Sequence, residues 1–149
     1  VGNGGWSYTL NASTPTLTDQ FNLIVSLTIL KDSIAFEGRT PCGIPGITDP
    51  RSTCYKLKWY IVLYASAEIN KPGTYKIFRT PWRQKGGKKG TWKILTGNDN
   101  RVIYQLSDEK GNGFIYFLKW DENIVAFSDA NGNSLVGDMD FSYSLNRRW

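Results

Sequence analysis

The chain holds 149 residues, 40% hydrophobic, 14% aromatic and 21% charged. That balance suits one globular domain with a buried core and excludes a disordered tail. It has no histidine, one Met and two Cys, which removes Ser-His-Asp and Cys-His catalysis, histidine-ligated zinc and histidine pH switching, and leaves soft copper sites poorly supplied. The net charge of +5 is uneven: Lys71, Lys76, Arg79, Arg83, Lys85, Lys88, Lys89 and Lys93 make eight cations with no acid between Lys71 and Lys93, so the remainder carries +5 − 8 = −3.

Gly5 to Asn11 sets Trp6, Tyr8 and Leu10 against Ser7 and Thr9, the period of a half-buried strand. Residues 12–19, with Pro15 and many Ser and Thr, read as a connector. Phe21 to Leu30 places Phe21, Leu23, Val25, Leu27 and Ile29 in one phase, and its β-branched content favours a strand over a helix. Lys31-Asp32-Ser33 then turns into a short strand from Ile34 to Gly38. The opening residues Val1 to Trp6 have neither the basic nor the apolar stretch of a secretory signal, and no apolar run reaches the roughly 18 residues of a membrane-spanning helix.

The two cysteines, Cys42 and Cys54, bracket a loop rich in Gly and Pro. They are either two reduced thiols or a disulfide. The disulfide is the favoured reading; it implies an oxidising compartment and contributes about 3 kcal/mol or a little less for so short a loop. Tyr55 to Tyr64 follows as a long strand whose core face is Leu57, Trp59, Ile61 and Leu63. Asn70-Lys71-Pro72-Gly73 is a turn before a strand at 74–79, and Gln84 to Gly90 is a flexible loop before one at 91–95. Further strands are expected at 101–106, 114–120 and 124–128, with the last from Leu135 to Leu145. Short strands at this spacing, with turn chemistry between them and no convincing helix, predict an all-β antiparallel meander. A barrel is favoured over a sandwich because closure removes exposed edges. The whole of 1–149 reads as one domain, with 1–20 a leading strand and connector and 21–149 the main barrel.

One repeat stands out. Val1 to Asn11 aligns without gaps on Val136 to Asn146, with six of eleven positions identical. Either the two strands hold related positions in a closing sheet, or the first is the last strand of a preceding repeat.

The carboxylates, Asp108, Glu109, Asp121, Glu122 and Asp129 among them, sit mostly in turns, where acids cap and solubilise; none is set up as a glycosidase-like pair. Asp129-Ala130-Asn131-Gly132-Asn133 has the start of a calcium loop, but Asp138 stands where the bidentate Glu belongs, and a hairpin turn is the plainer reading. The aromatics Trp59, Trp82, Trp92, Trp120, Tyr60, Tyr75, Tyr104 and Tyr116 either fill a small barrel's core or line a ligand-binding interior. Trp82, between Pro81 and Arg83, is the candidate for an exposed contact residue. Cations interleaved with aromatics also suit single-stranded nucleic acid, but an oxidising compartment argues against it and no nucleic acid is expected.

Gly38 with Pro41-Cys42, then Pro45-Gly46-Ile47, the long strand from Tyr55, Gly73-Thr74-Tyr75, Gly90-Thr91-Trp92 and the Ser128 to Asn133 turn follow one another in an order that resembles the amino-terminal domain of NlpE-like bacterial envelope lipoproteins. The resemblance covers roughly Phe36 to Asn146. It implies a small lipocalin-like β-barrel in the periplasm or cell envelope, in a family linked to envelope stress sensing and copper tolerance; the spacing of strands and turns gives such a barrel about 8–10 strands. Two features depart from that family. Pro45 stands where the second Cys of its Cys-x-x-Cys would be, so that under the resemblance Cys54 is the candidate to take over as partner of Cys42, and the start of the chain offers no lipidation Cys. Copper handling therefore does not carry over.

The resulting expectation is a non-enzymatic envelope barrel that binds a small apolar or amphipathic ligand, lined by Tyr60, Tyr75, Trp92 and Tyr104, or a partner protein at the barrel mouth. The alternative is an interaction or inhibitor module acting through the basic loop 81–89, with Trp82, Arg83, Lys85, Lys88 and Lys89 in contact. Neither reading assigns catalytic residues, a metal or a cofactor.

Overall fold

Alternation of apolar and polar residues, interrupted by Asp/Asn/Gly turns, produces eight antiparallel strands among the described residues. A computed structural model describes residues 33–48, 53–68, 71–79, 82 and 86–149. Its strands are β1 (Ser33–Thr40), β2 (Leu57–Ala65), β3 (Pro72–Ile77), β4 (Lys88–Thr96), β5 (Val102–Ser107), β6 (Gly113–Lys119), β7 (Ile124–Ser128) and β8 (Ser144–Arg148). Each pairs with the next, and β8 returns to β1 through Ala35↔Arg148, Phe36↔Arg147 and Glu37↔Asn146, so the meander closes into a barrel. The expected strands at 5–11 and 21–30 lie outside the described residues. Among those described, the only helical turn is a 3-10 turn at Asn98–Asn100.

The inward phase is the one expected. Leu57, Trp59, Ile61 and Leu63 of β2 are buried, and they meet Ile34 and Phe36 of β1, Tyr75 and Ile77 of β3, Trp92 of β4, Tyr104 and Leu106 of β5, Ile115 and Phe117 of β6, Val125 and Phe127 of β7 and Leu145 of β8. Period-two patterning turns one residue of each pair inward, and closure makes those residues a single core. β5 departs from simple alternation: Ile103 and Gln105, which face outward, are buried too. The turn at Gly132 folds back over that face, where an added β-carbon would come within 3.1 Å of Ile103 Cδ1.

Three expected boundaries are corrected. The loop assigned to 84–90 gives up Lys88 to Gly90 to β4, which pairs them with Ile77 to Tyr75. Gly90 allows this, because a β-carbon there would stand 2.6 Å from Ser107 O and 2.9 Å from the Tyr75 ring. The expected first strand residues of β2, Tyr55 and Lys56, precede the sheet, and Tyr55 is exposed. The strand expected from Leu135 to Leu145 is largely a connection, with only Ser144 and Leu145 in β8. There the carboxylate Oδ1 of Asp138 accepts from the amides of Asp140 and Phe141 at 2.9 and 2.8 Å, an Asx turn that breaks the extended chain.

Candidate functional site: the disulfide-closed mouth

Connections alternate between the two ends of an up-and-down barrel. One end carries the short links 66–71, 97–101 and 120–123; the other carries 41–56, 78–87, 108–112 and 129–143. The second end is therefore a mouth that carries the three longest connections, 41–56, 78–87 and 129–143.

The cysteine loop closes part of it. Cys42 and Cys54 form a disulfide with their Cα atoms 6.0 Å apart. Ile44 tucks into the core, and the amides of Ile47 and Thr48 donate to its carbonyl at 3.0 and 3.2 Å. Tyr143, from the 129–143 connection, donates its hydroxyl to Cys42 O at 3.0 Å. Below the loop, buried Trp59 Nε1 donates to Thr40 Oγ1 at 2.9 Å, and Thr40 in turn donates to Pro41 O at 3.0 Å. Loop and sheet are thus tied by covalent, hydrogen-bonded and apolar contacts at once.

Trp82 is half-buried rather than freely exposed. Its ring meets Trp59 edge-on with centroids 6.2 Å apart and Phe114 at 6.1 Å, and the Lys88 ammonium lies over both the Trp82 and the Phe114 rings at 5.7 and 5.2 Å. Lys88 and Trp82 therefore act as a stacked pair at the rim. Lys89, its neighbour on β4, is exposed. Arg83 and Lys85 lie outside the described residues.

The four residues expected to line a ligand do not form one group. Tyr75, Trp92 and Tyr104 are inside, 1%, 3% and 2% exposed. Tyr75 donates its hydroxyl to Ser107 O at 2.9 Å, Trp92 donates Nε1 to Tyr64 O at 2.9 Å, and Trp92 and Tyr104 pack edge-on at 5.4 Å. Burial, with the charges of Asp108 and Glu109 adding, pushes the Tyr75 hydroxyl far above the ordinary tyrosine range. Tyr60 projects from the opposite face of β2 and packs against Phe78 at 5.6 Å.

A cleft of about 440 Å³ opens beside the mouth, lined by Glu37, Gly38, Arg39, Lys58, Trp59, Arg79, Phe141 and Asn146. Arg39 and Lys58 are direct cross-strand partners, so two like charges share one stretch of sheet. Glu37 is the one acid in the lining, and it is ion-paired with Arg148 at 2.9 Å. Patterning marked Arg79 as part of the basic segment. It passed over Arg39 and Lys58, because only strand register brings them together.

The turns at 108–112 and 129–143 bring acids to the same end of the barrel. Asp129 is held below the usual carboxylate range by the Asn133 side-chain amide and then by backbone amides, and Asp108 by the amide of Asn112 foremost. Asp129 Oδ1 accepts from Asn131 N and Asn133 N at 2.8 and 2.9 Å, which makes 129–133 a hairpin turn capped by its own acid. Among the described residues, no three or more His, Cys, Asp or Glu side chains gather as metal ligands would, and no helix is long and apolar enough to cross a membrane. No family model matches the chain, and neither a curated protein nor a solved structure does.

Proposed function

We propose that the protein is a non-catalytic barrel of the bacterial periplasm or cell envelope that binds a partner protein through the basic side of its disulfide-closed mouth. One observation carries this reading: Arg39, Lys58 and Arg79 line a single cleft at the mouth, and its one acid, Glu37, is already paired with Arg148. A partner presenting an acidic surface is attracted to this cleft, which favours its approach in one orientation. Loops on a rigid scaffold are where binding residues usually sit. The partner contacts are Arg39, Arg79 and Lys89 together with Arg83 and Lys85 of the same loop.

The basic-side reading is favoured over a small ligand inside the barrel because Tyr75 and Trp92 already spend their polar atoms on backbone carbonyls and pack as core. The disulfide is compatible with export.

The test is cross-linking and affinity capture from an envelope extract of the source cell. Wild-type protein is compared with an alanine block at Arg39, Arg79, Arg83, Lys85 and Lys89, and with an alanine control at exposed Glu109. The basic block should lose the partner that wild type and control retain, with unchanged circular dichroism. Equal retention by all three would remove the proposal.

A further inference from the structure

The end of the barrel away from the mouth carries a cleft of about 330 Å³ between two turns. Strand register brings those turns together. β5 pairs with β6 through Ile103↔Leu118, so Val102 and Lys119 run side by side toward that end and line the cleft, and the links 97–101 and 120–123 leave the sheet as neighbours. Each turn is fixed by its own hydrogen bonds. In the first, Gly97 N donates to Arg101 O at 2.7 Å and Arg101 N to Asn98 O at 3.2 Å, while Asp99 and Asn100 both take positive φ, 56° and 57°. That is the left-handed pair of a type I′ hairpin turn, which Asp and Asn enter more readily than other residues with side chains. In the second, Trp120 N donates to Ile124 O at 3.0 Å, and Asp121 Oδ1 accepts from the amides of Asn123 and Ile124 at 2.7 and 2.8 Å.

Most charges around the cleft are already engaged. Lys119 is ion-paired with Glu122, Arg101 reaches Gly132 O at 3.4 Å, and Asp121 caps its own turn. A short set stays open to a ligand. The side chains of Asp99, Asn100 and Trp120 are exposed and make no hydrogen bond to another described residue, and Trp120 presents an indole that is 56% exposed.

The chemistry of that set is selective. An indole face beside a carboxylate and an amide offers a flat apolar platform with acceptors and donors at its edge. A pyranose sugar matches it: the C–H face of the ring lies on the indole, and hydroxyls, which both donate and accept, bond to Asp99 and Asn100. The volume is at the lower end of the roughly 300–1,000 Å³ of small-molecule sites and suits a single sugar unit. An organic cation fits less well. It would meet one aromatic ring in place of a cage, and with two cations against three acids the lining carries only 2 − 3 = −1.

We propose that this cleft binds a pyranose unit of a neutral glycan, with Trp120 as the stacking platform and Asp99 and Asn100 as the hydroxyl partners. The site stands apart from the basic cleft at the mouth, because it lies at the other end of the barrel.

Titration calorimetry of the full chain with cellotetraose and with chitotetraose tests it. At least one of these sugars should bind saturably with a dissociation constant at or below about 10 mM. Trp120→Ala should abolish that binding. Asp99→Gly suits the left-handed position and so keeps the turn, and it should weaken binding about tenfold or more by removing a charged acceptor. Met139→Ala, exposed at the mouth, should bind as wild type does, and all three variants should keep the wild-type circular dichroism. Absence of saturable binding to both sugars, binding of choline in their place, or sugar binding that either cleft variant retains in full overturns the proposal. The alanine block at the mouth should leave the sugar titration unchanged, so the partner reading and this one fail separately.

Discussion

Tyr75 shows how one side chain can serve the core and still keep a polar group satisfied. Its ring is buried and packs against Phe114, centroids 6.4 Å apart, while its hydroxyl donates to Ser107 O at 2.9 Å, joining β3 to the end of β5. Tyr75→Phe keeps the ring and leaves that carbonyl short of a partner, so it should lower unfolding free energy by about 1 kcal/mol in denaturant titration. The hydroxyl also sets a pH dependence. Burial raises its folded pKa above the unfolded value of about 10, so the unfolded chain releases its proton first as pH rises. The contribution is whole below that value and falls away above it. Wild-type stability should therefore decline in alkali more steeply than that of Tyr75→Phe, and equal slopes would show that Tyr75 is not the group responsible.

At the scale of elements, the seam between β8 and β1 and the cysteine loop decide how the sheet closes. Gly38 sits where β8 crosses β1; a β-carbon there would stand 2.9 Å from Leu145 Cδ2 and 3.1 Å from Ser144 O. Since part of that contact is backbone, Gly38→Ala should cost about 1–3 kcal/mol, the range for forcing extra volume into a packed site. Gly43→Ala, in open space but at φ 92°, tests backbone strain separately from crowding. The cross-link between Cys42 and Cys54 restrains the loop that carries Ile44 into the mouth. Replacing both cysteines by Ala should lower stability by about 3 kcal/mol on the chain-entropy estimate for so short a loop, read as a shift in denaturation midpoint. If reducing agent shifts the wild-type midpoint and leaves the double variant unmoved, the effect belongs to the disulfide.

On the scale of the whole molecule, the net charge of +5 is unevenly placed: Arg39, Lys58 and Arg79 gather in one cleft whose single acid, Glu37, is already paired with Arg148. Exposed charges act over about a Debye length, some 8 Å at physiological salt. Partner binding on the basic side should therefore weaken as salt is raised, mainly through slower association, and surface plasmon resonance across a salt series reads that directly. An association rate that ignores salt would place the contact elsewhere. The closed sheet also leaves no strand edge among the described residues for a partner to extend, which leaves loops and side chains to make the contact.

The sequence by itself determined the class of fold, because period-two patterning and Asp/Asn/Gly turns are local signals. Leu57, Trp59, Ile61 and Leu63 declare their face without reference to any neighbour, and a turn such as 129–133 caps itself. The bracketing of a Gly/Pro loop by Cys42 and Cys54 was equally readable, and the bond is there. Only the tertiary structure decided what depends on register and closure. Arg39 meets Lys58 because β1 and β2 pair at that offset, and Tyr60 parts from Tyr75, Trp92 and Tyr104 because it falls on the other face of a curved sheet. The strand expected at 135–145 gave way to an Asx turn at Asp138, whose hydrogen bonds outweigh a modest strand propensity.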